Sequence, residues 1–142
     1  MALATDIADA VVTELASGAF SQSSTPERRV LPEHELADLK DLRATVVPRG
    51  VEITGASRTL SQHDVRIDIG IQKKLDKAID TEVAQLAGLV DEIAEFLKRR
   101  PLQATPYAVW VKTVNEPIYA ADHLAQQRAF TSVLSITYRV LK

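Results

Sequence analysis

The sequence predicts an α+β domain: a mainly antiparallel sheet of about four strands, built around one long hairpin and packed by one long and one or two shorter helices. Three observations predict it. Val65, Ile67, Ile69 and Ile71 alternate with Asp64, Arg66, Asp68 and Gly70, the period of a strand with one buried and one wet face. Ile79, Val83, Leu86, Val90, Ile93 and Leu97 recur at steps of four and three, the period of a helix with one apolar stripe. The segments run helix, hairpin, long helix, then two more strands, without the strict βαβ rhythm of a parallel sheet.

The first helix is read from Leu3, Ile7, Val11 and Leu15, which share one stripe, and Gly18 ends it as a C-terminal glycine. The Ser- and Thr-rich stretch from Ala19 to Pro32 includes a short extended segment at Arg28 to Leu31. Pro32 to Leu39 puts proline ahead of one or two helical turns. Leu42 to Val47 is rich in β-branched residues and stops at Pro48-Arg49-Gly50, a strand ending in a turn or bulge, before Val51 to Thr54 alternates again. With Arg58 to Lys73 these residues form the two arms of one hairpin, its tip near Gly55.

The long helix spans Asp76 to Arg99. Asp76 and Asp80 suit its positive N-terminal end, Lys98 and Arg99 its negative C-terminal end, and Pro101 stops it. Its apolar stripe reads as core. Tyr107 to Val114 is a strand, Asn115-Glu116-Pro117 a turn, and Ala120 to Gln127 a short helix or loop. Trp110 is expected on the face shared with Ala108 and Lys112, as core or sheet cover or as an interface anchor. Phe130 to Val140 closes the chain as a strand.

With 142 residues the chain suits a single domain over 1–142, long enough to bury roughly two thirds of its unfolded surface. The apolar share of 46% and charged share of 25% are those of an average globular protein. A formal charge of −2 provides no global field toward nucleic acid or an anionic membrane. Sequence-specific nucleic-acid binding and a membrane role are not expected. The absence of cysteine excludes disulfides, thiolate metal sites and cysteine nucleophiles. Met1 to Gly18 lacks the basic leader and unbroken apolar core of a signal peptide, so a cytoplasmic protein is expected.

No catalytic, cofactor or metal site is expected. His34, His63 and His123 lie in different segments without metal-ligand spacing. Asp64 and Asp68 share a face, yet four residues at about 3.3 Å each separate them by roughly 13 Å, too far for a glycosidase-type carboxylate pair. With Arg66 between them they read as a charge ladder, solvated or at a subunit contact. No glycine lies in a GxGxxG or Walker-type loop and no serine in a GxSxG elbow. The clusters Glu27-Arg28-Arg29 and Lys98-Arg99-Arg100 could hold a phosphate or a partner's carboxylates, the second being equally a helix end answering its dipole.

In order along the chain stand Phe20 with Glu27-Arg28-Arg29, then Leu39, Leu42-Arg43 and Thr45-Val46-Val47-Pro48. Arg66-Ile67-Asp68-Ile69-Gly70-Ile71-Gln72-Lys73-Lys74 follows, and Phe130-Thr131-Ser132-Val133-Leu134 with Ile136-Thr137-Tyr138-Arg139 closes the series. In this arrangement the chain resembles small neck and tail proteins of tailed bacteriophages and prophages, in particular the tail terminator (tail completion) group. The resemblance implies a ring-forming structural subunit, commonly a hexamer. Such a ring caps the finished tail tube and faces the head connector, so the implied partners are further copies, the major tail tube protein and the head-tail connector protein. It further implies assembly in the host cytoplasm and a final place in the virion tail or neck. Arg28, Arg29, Arg58, Ser61, Gln62, Arg66 and Asp68 are the residues expected at subunit or partner contacts. A head-to-tail joining protein of the neck is the nearest alternative. A small cytoplasmic domain using Arg28, Arg29, Arg99 and Arg100 for a phosphate-bearing ligand is the alternative of another class.

Overall fold

The computed structural model describes residues 2–22, 25–29, 42–75, 79–116, 118–122, 125 and 128–142. The elements are α1 (Leu3–Ser17), β1 (Thr25–Arg28), β2 (Arg43–Gly55), β3 (Ser61–Lys74), α2 (Ile79–Leu97), β4 (Val109–Asn115) and β5 (Ala129–Leu141). The fold is α+β, with one five-stranded sheet in the order β1-β2-β3-β5-β4. β2, β3, β5 and β4 are antiparallel neighbours, whereas β1 runs parallel to β2, making the sheet mixed. The strand beyond the expected four is β1. β1 is Thr25–Arg28, paired with the start of β2 from Arg43 to Val46; of the extended segment read at Arg28 to Leu31, Val30 and Leu31 lie outside the described residues. The short helix expected at Pro32 to Leu39, Asp76 in the first turn of α2 and most of Ala120 to Gln127 fall outside the described residues.

The core lies between the two helices and one face of the sheet. Alternation decides that face: Val65, Ile67, Ile69 and Ile71 of β3 are buried, as are Leu134, Ile136, Tyr138 and Val140 of β5. Ile7, Ala8, Val11 and Leu15 of α1 and Leu86, Leu89, Val90, Ile93 and Leu97 of α2 pack on them. Leu89 widens the expected stripe into the broad apolar face that a helix needs to cover a sheet.

Two bulges reset the register. In β2, Pro48 pairs with Ile67 and Gly50 with Arg66, so Arg49 is the extra residue and the strand runs on unbroken to Gly55. In β4, Trp110 pairs with Tyr138 and Lys112 with Thr137, leaving Val111 as the extra residue. This overturns the expected sharing of a face by Trp110 and Lys112. Trp110 packs against the core and its indole N–H donates to Thr113 Oγ1 at 2.8 Å, while Lys112 points to the opposite face.

Gly18 also departs from expectation. It follows α1 with φ −80° and ψ 147°, an extended conformation open to any residue. Its need is spatial: a Cβ there would sit 2.6 Å from Phe20 Cζ and 3.2 Å from Phe96 Cζ. Phe20 and Phe96 meet edge to face at 5.2 Å between ring centres, and the Arg100 guanidinium lies 4.0 Å from the centre of the Phe96 ring. Arg100 Nε also donates to Glu14 Oε2 at 2.7 Å, and the Gln103 amide donates to Glu14 Oε1 at 3.0 Å. One buried carboxylate on α1 thus ties down the chain leaving α2.

Candidate functional site

Only one face of the sheet is covered by the described helices, and the polar half of each alternating strand points the other way. Three rows cross the strands there. Glu52, Asp64 and Arg139 stand in register, then Gly50, Arg66, Thr137 and Lys112, then Val47, Asp68, Ser135 and Val114. A groove of about 610 Å³ runs over the second and third rows, and another of about 410 Å³ continues toward the first.

The carboxylates of the ladder are matched separately. Arg139 donates to both oxygens of Asp64, through Nε at 2.9 Å and Nη2 at 3.3 Å, in the forked geometry that suits guanidinium and carboxylate. The Arg139 hydrogen bonds hold the Asp64 carboxyl below the usual range, and the same contact raises the Arg139 guanidinium. Asp68 meets Arg49 Nε at 3.1 Å and accepts from Ser135 Oγ at 2.7 Å. The bulge produces the first contact, because the extra residue turns Arg49 toward the face that Gly50 and Val47 also present. Arg66, between the two aspartates in sequence, has no ion-pair or hydrogen-bond partner among the described residues. Lys112, across Thr137 from it, acts on Asp64 only at longer range.

The seven residues singled out from the sequence fall in three places. Arg66 and Asp68 line the groove. Arg58, Ser61 and Gln62 are at the hairpin tip and the start of β3, where Ser61 exchanges backbone hydrogen bonds with Lys142 and Gln62 Nε2 donates to Asp64 at 3.4 Å. Arg28 and Arg29 are at the far edge of the sheet, where Arg28 Nε holds Asp9 at 2.6 Å and Arg29 faces Glu27 at 3.8 Å. The phosphate-binding set of Arg28, Arg29, Arg99 and Arg100 is divided, since Arg28 is committed to Asp9 and Arg100 to Glu14. Sequence reading missed Arg49, Lys112, Ser135, Thr137 and Arg139. The alternation of β5 carried a signal for the last three; Pro48-Arg49-Gly50 marked a turn or bulge without giving the direction of Arg49, and nothing local announced the bulge that turns Lys112 to this face.

His63 is on β3, and among the described residues no group of three His, Asp or Glu side chains could hold a metal. His34 and His123 lie outside them. No helix among the described residues is long and apolar enough to cross a membrane. No protein-family model matches the sequence, and no curated protein matches it.

Proposed function

We propose that the chain is a structural subunit that assembles into a ring, ending the tail tube of a bacteriophage or prophage and joining it to the head connector. The observation that supports this reading is the arm formed by the distal halves of β2 and β3. From Arg49 to Gly55 every residue of β2 is exposed, and beyond the β1 pairing its outer edge has no strand partner among the described residues. Val51, Ile53 and Leu60 expose 42%, 61% and 44% of their surface at this end of the molecule. An open strand edge carrying clustered apolar side chains is a liability in a monomer and an asset in an assembly. Heterologous contacts made by such an arm, repeated about an axis, close a ring.

Native mass spectrometry and electron microscopy of the purified chain test the proposal. A closed ring, hexameric in the form the resemblance implies, is expected, alone or on addition of the major tail tube protein. Val51→Lys with Ile53→Lys is expected to leave the fold intact and prevent ring formation. Monomer at high concentration, with and without tube protein, overturns the proposal. A ring that leaves tube polymerisation unchanged moves the assignment to a head-to-tail joining protein.

A further inference from the structure

The sheet face opposite the helices and the outer face of α2 carry complementary features. On the sheet, Asp64 and Asp68 are matched by Arg139 and Arg49, which leaves Arg66 and Lys112 as the cations at the centre of the groove. Glu52 and Glu116 stand toward its two ends. The floor includes apolar Val114, 42% exposed.

α2 contains Asp80, Glu82, Asp91, Glu92 and Glu95 and no lysine or arginine. Glu92 is taken by Ser21 and Glu95 faces Lys98 at 3.9 Å, but Asp91 has no ion-pair or hydrogen-bond partner among the described residues. One turn before Asp91, on the same exposed side, is Gly88. Among the described residues nothing lies within 4 Å of where its Cβ would be, so their packing gives no reason for a residue disfavoured in helix interiors. Close approach by another surface supplies one.

We infer that the outer face of α2 in one copy docks across the groove of the next copy. Asp91 then answers Arg66 and Lys112, joined by Glu95 as it exchanges its exposed 3.9 Å contact with Lys98, and Gly88 lets the helix settle on the apolar floor beside Val114. This rests on the ring-forming reading and adds a second contact to the one made by the arm. The two surfaces lie on opposite sides of the sheet, so the contact is heterologous, and it closes into a ring where the rotation from copy to copy permits.

Charge reversal tests it on the full chain, with circular dichroism confirming that each variant folds. Sedimentation velocity is expected to show assembly of the wild type and monomer for Arg66→Glu/Lys112→Glu and for Asp91→Lys/Glu95→Lys. Mixing the two variants one to one restores assembly in alternating order. Because the chain has no cysteine, Gly88→Cys with Val114→Cys gives a second readout: mild oxidation is expected to link neighbouring copies covalently. If Arg66→Glu/Lys112→Glu assembles like the wild type and the cysteine pair does not link, this interface is wrong while the ring reading stands. Wild type that stays monomeric with and without tube protein overturns both. A monomer whose groove binds inorganic phosphate or a dicarboxylate, with binding lost in Arg66→Glu, assigns the groove to a small anion instead of a second copy.

Discussion

Glu14 is the charged residue on which the packing of α1 against the end of α2 most depends. It is 4% exposed and accepts two hydrogen bonds, from Arg100 Nε at 2.7 Å and from the Gln103 amide at 3.0 Å. A hydrogen bond to a charged group contributes about 1.5–3 kcal/mol when buried. The Arg100 side chain is 37% exposed, so water screens its share toward the low end of that range. Glu14→Ala removes both bonds and leaves the Gln103 N–H without its acceptor, for an expected loss of about 2–3 kcal/mol. In a chain of this length that lowers Tm by roughly 4–12 °C. Glu14→Gln keeps an acceptor for Gln103 and gives up the charge, so about 1 kcal/mol is expected. In urea unfolding, a double-mutant cycle of Glu14→Gln with Arg100→Met then returns a coupling of about 0.5–1.5 kcal/mol.

The pH dependence follows from the same contacts. The Gln103 amide, then Arg100, hold the Glu14 carboxyl below its ordinary value, against the opposing effect of burial. A depressed folded-state pKa means that the unfolded chain binds the proton more readily. The contribution of Glu14 is therefore fully present above the unfolded value of about 4.3, and it is lost as pH falls through the folded value. Wild-type stability is expected to decline below that pH more steeply than that of Glu14→Gln, the two converging in acid. A variant as stable as wild type at neutral pH, or parallel pH profiles for the two proteins, refutes the reasoning.

Three further outcomes are expected. Ile67→Ala empties a fully buried position on a central strand, and urea unfolding should register a loss of about 3–4 kcal/mol; under 1.5 kcal/mol means the core collapses around it. Tyr138→Phe removes a buried hydroxyl that has no hydrogen-bond partner among the described residues, and whose ionisation burial pushes well above the usual tyrosine range. Stability is expected to stay within about 0.5 kcal/mol or to rise by up to about 1, whereas a loss beyond 1 kcal/mol in thermal unfolding reveals a partner for that oxygen. Gly18→Ala forces the Phe20 ring off Phe96, and a loss of about 1 kcal/mol is expected in the same assay. Alanine tolerated without loss shows that the ring moves freely.

Where local periodicity carries the information, residue order alone determined the structure. The strict alternation from Asp64 to Ile71 defined β3 and its two faces, the four-and-three spacing from Ile79 to Leu97 defined α2, and Pro48 to Gly50 marked the bulge region. These features are legible because a strand or helix repeats its burial demand every two or 3.6 residues. Partners across the sheet are not encoded that way. The parallel docking of β1, the turning of Arg49 and Lys112 onto the polar face, the separate matching of Asp64 and Asp68, and the spatial demand for Gly18 each depend on residues distant in sequence. Only tertiary packing decided them: one inserted residue reverses every later side chain on its strand, and nothing in the strand's own pattern says which neighbour will then lie opposite.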